Sequence, residues 1–293
     1  MSKIEWTNLT KNPIKGKCPT ACPYCYARAM YDDHKWDPSI RYIPGVMDDI
    51  PRKPCRIFVG STMELFLFPE WLPEIFDRCR QHPEHTFIFL TKQPQELPRW
   101  LPFPDNRHIG VSATTEEQYF DALKYLGAIK AAVKLISFEP LLEPVMNSGK
   151  PYFQLDHPDR RMGEGSMMLS KGIGGVIIGA MTGRKGRLVQ LQAERYPELR
   201  LEKLDAMGRK WTLLPQLEWV RDIVVAANVA EIPVFLKDNI YKLAMERPAE
   251  DHDLYWEDMS TLRQELPKRS YSDQVVTTPK ARVTSSVTSG GGH

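Results

Sequence analysis

Short apolar and β-branched runs recur through the middle of this chain, each ending in a polar or small residue. They are Arg56-Ile-Phe-Val-Gly-Ser, Thr86-Phe-Ile-Phe-Leu-Thr-Lys, His108-Ile-Gly-Val-Ser, Val133-Lys-Leu-Ile-Ser-Phe-Glu, Gly175-Val-Ile-Ile-Gly-Ala and Pro233-Val-Phe-Leu-Lys-Asp. Runs that are apolar almost throughout fit strands buried on both faces, the pattern of a parallel sheet. Amphipathic segments alternate with them, over Pro69 to Gln81, Glu116 to Ile129 and Leu213 to Asn228. The middle one is preceded by Ser112-Ala-Thr-Thr-Glu-Glu-Gln, which supplies N-cap hydroxyls and acidic first-turn residues. The alternation predicts βαβ units on a parallel sheet, an α/β fold. Two stretches break it. Asn147 to Lys171 reads as an insertion or flexible loop, and the charged Arg184 to Trp211 as a helix or lid before the last crossover.

The carboxy ends of the runs are chemically alike. Ser61, Thr62 and Glu64 follow the first, Thr91 and Lys92 end the second, and Ser112 ends the third. Ser137 and Glu139 end the fourth, and Lys237 and Asp238 the last. Parallel barrels carry their active sites at this face, where the loops converge. At any one strand a polar end means only that the chain has returned to solvent; five together point to a polar mouth.

At 293 residues the chain suits a single α/β barrel with a substantial core. Its 42% hydrophobic content and mean hydropathy of −0.40 fit a soluble globular protein. The opening MSKIEWTNLTKNP has no apolar leader core, and no apolar run approaches the roughly 20 residues that span a bilayer. A membrane partner is therefore not expected, and a reducing cytoplasm is. The net charge of +2 is carried by the tail, where Lys268, Arg269, Lys280 and Arg282 face only Asp273. The remaining 35 basic and 36 acidic side chains balance, which argues against a basic nucleic-acid surface over the whole fold while leaving room for a local basic rim. Residues 267–293, rich in Ser, Thr and Gly, read as a disordered tail beyond one domain over residues 1–266.

The strongest chemical signal is Lys-Cys-Pro-Thr-Ala-Cys-Pro-Tyr-Cys-Tyr, which spaces Cys18, Cys22 and Cys25 as C-x3-C-x2-C. Three thiolates this close can hold three corners of a cubane [4Fe-4S] cluster, one short of a full set of four. The open iron could then bind S-adenosylmethionine through its amino and carboxylate groups. A structural zinc site is the competing reading, but it needs four ligands. The other cysteines, Cys55 and Cys79, lack a hook partner, although His82 and His85 follow Cys79 closely. Cys55 and Cys79 otherwise read as buried structural thiols.

The motif resembles that of the radical S-adenosylmethionine enzymes. With Ile4-Glu5-Trp6-Thr7, Asn12-Pro13, Gly16, Leu90-Thr91-Lys92, Gly110-Val111-Ser112, Ser137-Phe138-Glu139-Pro140-Leu141-Leu142 and Phe235-Leu236-Lys237, the chain resembles the phage Gp37/Gp68 family within that superfamily, related to the spore photoproduct lyases. The resemblance implies an open or partial parallel (β/α) barrel. It implies Cys18, Cys22 and Cys25 as cluster ligands and Tyr24 near the adenine of S-adenosylmethionine. It places Ser61-Thr62-Met63-Glu64 where such enzymes hold the methionyl amine, and Lys92 and Ser112 where the lyases hold the methionyl carboxylate. Glu139 joins them as a candidate cofactor contact, and Gly179-Ala180, with Gly183, stands where a glycine pair follows the sixth strand. It also implies an electron donor such as flavodoxin or ferredoxin. The substrate is open. Nucleic acid is one candidate, because Thr182-Gly-Arg-Lys-Gly-Arg187 would lie on the mouth face with three cations able to meet phosphates; a solvated basic turn is the other reading. Against the enzyme stands a non-enzymatic binding module with a structural zinc or iron site.

Overall fold

The computed structural model describes residues 4–146, 164–205, 210–245 and 262–267. All six predicted runs are strands of one sheet, and a seventh precedes the cysteines. In chain order, β1 (Leu9–Lys11) leads to a small hairpin, β2 (Ile14–Lys15) with β3 (Arg41–Tyr42), which brackets α1 (Tyr26–His34). Then come β4 (Arg56–Val59), α2 (Leu72–Arg80), β5 (Thr86–Thr91), β6 (Arg107–Ser112), α3 (Glu116–Gly127), β7 (Val133–Phe138), α4 (Glu164–Ser170) and β8 (Gly175–Ile178). The chain continues through β9 (Met181–Gly183), α5 (Lys185–Glu194), β10 (Arg200–Lys203), β11 (Trp211–Leu214), α6 (Leu217–Val229) and β12 (Val234–Leu236). The main sheet runs β1-β4-β5-β6-β7-β8-β12 with every neighbouring pair parallel, an α/β half-barrel.

Thr115 caps α3 by accepting from the Gln118 N–H, with Glu116 and Glu117 in the first turn, as the sequence predicts. Three expectations need correcting. The predicted helix from Leu213 starts only at Leu217, because Leu213 and Leu214 complete β11. The charged stretch from Arg184 is not one helix or lid: it folds as α5 followed by two strands that join β9 in an antiparallel sheet ordered β10-β11-β9. The stretch from Asn147 includes α4; residues 147–163 lie outside the described residues, as do residues 268–293 of the predicted tail. No helix among the described residues is long and apolar enough to cross a membrane.

The two-residue period of the strands sorts their side chains between two cores. Ile57, Val59, Phe87, Phe89, Val176, Ile178, Val234 and Leu236 belong to the large core under the helices. The alternate residues Phe58, Ile88, Leu135, Ile177 and Phe235 form a smaller cluster, sealed by Trp6, whose ring sits 4.8 Å from that of Phe58. Across this inner layer large and small residues alternate from strand to strand: Leu90 opposite Gly110, Gly110 opposite Leu135, Leu135 opposite Gly175. Concave curvature crowds this face, so each glycine makes room for a neighbouring leucine. A Cβ on Gly110 would come within 2.4 Å of Leu90 Cδ2 and 3.0 Å of Leu135 Cβ.

Gly110→Ala should therefore destabilise the fold by about 1–3 kcal/mol, the usual range for overpacking, although alanine is ordinarily the better strand residue. Urea unfolding checks this, and Leu90→Ala in the same chain should recover part of the loss. Equal midpoints for wild type and Gly110→Ala would contradict the crowding argument.

Candidate metal centre and adjoining groove

The inner-face period continues above the apolar layer and decides what reaches the mouth. Ile88 and Leu90 are followed by Lys92, Leu135 by Ser137 and Glu139, Ile177 by Gly179, Phe235 by Lys237, and Gly110 by Ser112. The cysteine loop follows β2 and lies over these ends. It is built from tight turns: Ala21 N–H donates to the Cys18 carbonyl at 3.4 Å and Cys25 N–H to the Cys22 carbonyl at 3.0 Å, and Cys25 is the N-cap of α1. Arg28 donates to the Cys18 carbonyl at 2.6 Å, and Arg187 to the Pro23 carbonyl at 2.8 Å.

Cys18, Cys22 and Cys25 are unoxidised, half-buried thiols that line one cavity of about 140 Å³. Ser61, Thr62, Glu64, Lys92 and Ser112 line the same cavity. The sequence-predicted residues thus converge, except two. Tyr24 turns to the other side of the loop, with its ring 5.7 Å from the Lys92 ammonium, and burial together with Cys22 holds its hydroxyl well above the ordinary tyrosine range. Glu139 forms an ion pair with Lys237. Burial works to lower the Lys237 pKa, but Glu139 and Glu5 outweigh it, so the ammonium is held charged.

Glu64 is buried and both its oxygens are engaged. Thr91 Oγ1 donates to Oε1 and the Lys92 N–H to Oε2, each at 2.7 Å, while the Glu64 N–H donates to Cys18 Sγ at 3.4 Å. Burial nonetheless pushes its carboxyl pKa up. This residue clamps the loop after β4 to the end of β5 and to the first cysteine. Ser61 Oγ and the Thr62 N–H both donate to Asn12 Oδ1, at 3.1 and 3.2 Å. Lys92 is different: among the described residues its ammonium makes no ion pair. Burial drives its pKa down, while Cys22, Glu64 and Glu139 pull it back up. Burial also raises the Cys22 thiol pKa against the pull of Lys92.

The three thiols line one cavity, whereas a tetrahedral structural zinc needs four ligands. No fourth ligand comes from Cys79, which is buried beside Arg107 with its thiol pKa pushed up to about 12, or from Cys55, half-buried beside His85. The trio His82, Glu84 and His85 is no substitute. The Cys55 N–H donates to His85 Nδ1 at 3.1 Å, which leaves the neutral ring's proton on Nε2, 3.2 Å from Glu84.

On the far side of the cysteine loop lies a groove of about 660 Å³, which shares Thr20, Cys22 and Lys92 with the cavity. Tyr24, Gln93 and Gln118 line it on the barrel side, and Arg195, Tyr196 and Glu198 on the other. The latter come from the charged segment between α5 and β10.

Sequence reasoning missed the residues that hold the mouth together. Asn239 exchanges two hydrogen bonds with Ala180, donating to its carbonyl at 2.8 Å and accepting from its N–H at 3.0 Å. Both backbone groups of Ala180 are thereby engaged within the protein, at the place where the glycine pair would stand. A Cβ at Gly179 would press on the Lys237 stem, Asn239 and Glu139 at 3.0 to 3.3 Å, so the glycine makes room for the ion pair instead. Arg184 pairs with Asp33 at 3.2 Å, Lys185 lies 4.7 Å over the Trp211 ring, and Arg187 holds Pro23. The basic stretch is therefore engaged with the protein itself.

A family model described as "Protein of unknown function (DUF5131)" matches residues 1–198, which include the cysteine loop and the sheet through β8. No curated protein matches the chain. Among solved structures, "Spore photoproduct lyase complexed with dinucleoside spore photoproduct" is similar with a TM-score of 0.45 and 10% identity, over 76% of this chain and 74% of that one.

If Arg187 steadies the cysteine loop, Arg187→Ala should speed thiol labelling of Cys22 in metal-free protein severalfold, with the unfolding midpoint unchanged, because only a local opening becomes easier. Mass spectrometry of the labelled peptide reads this out. Labelling as slow as in wild type would remove Arg187 from that role.

Proposed function

The chain belongs to the DUF5131 family, and from the chemistry of its mouth we propose that it is a radical S-adenosylmethionine enzyme. Cys18, Cys22 and Cys25 would hold a [4Fe-4S] cluster, with S-adenosylmethionine in the adjoining cavity. When bound and reduced, such a cluster cleaves the sulfonium of S-adenosylmethionine reductively and starts radical chemistry on a substrate. The observation that carries the reading is three free thiols around a single cavity with a lysine ammonium that, among the described residues, makes no ion pair.

The chain's own residues have distinct roles in this reading. Lys92 is an ammonium without a carboxylate partner among the described residues, suited to the methionyl carboxylate, and Ser112 lines the same cavity with its hydroxyl. Glu64 acts as a clamp that fixes the backbone of Lys92 and the amide facing Cys18, so it supports the cofactor rather than supplying a free carboxylate for the amine. Ser61 and Thr62, tied to Asn12, shape the wall. Tyr24 separates the cavity from the groove, which would receive the substrate beside Cys22. The Lys237–Glu139 pair closes the opposite side. The competing module with structural zinc would need a fourth ligand at the loop.

Anaerobic reconstitution with iron and sulfide should give a reducible cluster, and dithionite with S-adenosylmethionine should yield 5′-deoxyadenosine. Each of Cys18→Ala, Cys22→Ala and Cys25→Ala should lose most of the iron and all of the cleavage, while Cys55→Ala and Cys79→Ala keep both. Wild-type protein that holds stoichiometric zinc and takes up no reducible iron would overturn the proposal.

Lys92→Ala should retain iron but bind S-adenosylmethionine more weakly. A hydrogen bond to a charged group is worth about 1.5–3 kcal/mol, so the dissociation constant should rise roughly tenfold to over a hundredfold. Ser112→Ala should shift it less in the same direction. Calorimetric titration decides, and unchanged affinity in both variants would take these residues out of the site.

A further inference from the structure

The helix that begins at the third cysteine, and the turn after it, carry a row of solvent-facing apolar side chains. Tyr26 is 50% exposed and Met30 39%, one turn apart on the same face of α1. His34 continues the row and stacks on Trp36 at 5.0 Å, and Trp36 is itself 48% exposed. Trp36 is held in place: its N–H donates to the Tyr31 carbonyl at 3.1 Å, and the Tyr31 ring meets it edge-on at 5.5 Å. Met30 and Trp36 line a surface depression of about 390 Å³ together with Lys15 and the paired Asp37 and Arg41. Ala27 and Thr62 line both this depression and the cysteine cavity, so the two are separated by a thin wall.

The charge around this row is one-sided. Each carboxylate of the α1 region is matched by a cation: Asp32 by Lys17, Asp33 by Arg184 at 3.2 Å, and Asp37 by Arg41 at 2.9 Å. Lys15 and Lys35 remain, and among the described residues neither makes an ion pair. A rigid aromatic and thioether centre with a positive rim is the anatomy of a protein-docking surface, and its small extent suits a transient redox encounter.

We propose that this face receives an acidic one-electron carrier protein that reduces the cysteine site. The inference rests on the cluster reading above. One electron would leave the carrier's reduced iron–sulfur centre and arrive at the cysteine-held cluster, oxidising the first and reducing the second by one, with no bond made or broken. Charge complementarity selects an acidic carrier over a second copy of this nearly neutral chain, and contiguity with the cavity gives the electron a short path.

A plant-type [2Fe-2S] ferredoxin is a suitable probe. Reconstituted wild-type protein should bind it at low ionic strength, with affinity falling as salt rises. Lys15→Glu combined with Lys35→Glu should raise the dissociation constant about tenfold, as rim charges steer encounter, and the gap should close in high salt. Met30→Ser should weaken binding at all salt concentrations. With dithionite, all variants should produce 5′-deoxyadenosine like wild type; with reduced ferredoxin, the double variant should be slower. Equal ferredoxin binding by wild type and both variants overturns the proposal. So does a change in the chain's own oligomeric state on charge reversal without a change in ferredoxin affinity. Binding is scored independently of cleavage, so protein that binds ferredoxin as expected but yields no 5′-deoxyadenosine with dithionite would count against the cofactor reading, not against the docking face.

Discussion

The two-residue period of the strands is the constraint on which the mouth depends. On the concave face of the sheet, position follows position in fixed order: apolar filling at Ile88 and Leu90 and then Lys92, Leu135 and then Ser137 and Glu139, Phe235 and then Lys237. A slip of one residue in any strand would send that strand's polar end beneath the helices and its helix-facing residues into the barrel. The alternation of Leu90, Gly110, Leu135 and Gly175 across the sheet guards against such a slip, since only one register seats each leucine against a glycine. Core packing and site geometry are therefore a single problem in this fold, solved by the same register.

Above that layer, polar side chains fix the loops to one another. Glu64 is the centre of this arrangement. Burying a carboxylate is costly, and hydrogen bonds from Thr91 and from the Lys92 backbone offset the cost while joining two strand ends. Asn12 and Asn239 do the same with neutral amides. Beside these groups, the three thiols and the Lys92 ammonium line one cavity. A soft, electron-rich donor set facing a cation is a chemically specific combination, and it differs from the hydrogen-bonded network around it.

The sheet was legible because its strands are apolar on both faces, which gives continuous runs that no loop imitates. The cysteines were legible because spacing alone restricts what three thiolates can hold. β1 was not, because Leu9-Thr-Lys11 has a single apolar residue and pairs only through its backbone with β4. The antiparallel insert was hidden for the opposite reason: Arg200-Leu-Glu-Lys203 is a strand whose side chains are mostly solvated, so it reads as a charged loop. Glu64 looked like a ligand from its place after β4, and only its hydrogen bonds reveal a clamp. Glu139 and Lys237 could have been paired from the strand register, since each follows the residue that pairs with Ile178 (Phe138 and Leu236) on the strands that flank β8.

The insert gives the mouth its asymmetry. Arg184 and Arg187 reach from α5 to Asp33 and Pro23, so a segment late in the chain braces the loop that carries the cysteines near its start. The same segment supplies Arg195 and Glu198 to the groove, where Lys92 and Glu143 stand across from them. Two cations and two carboxylates leave the groove electrically balanced. A balanced groove suits a zwitterion or a small uncharged group better than a run of phosphates, whose binding depends on cations in excess. Around the cysteine loop the cations thus differ in role: Arg184 and Arg187 brace the loop and the helix after it, Lys92 faces the cavity, and Lys15 and Lys35, near α1, make no ion pair among the described residues.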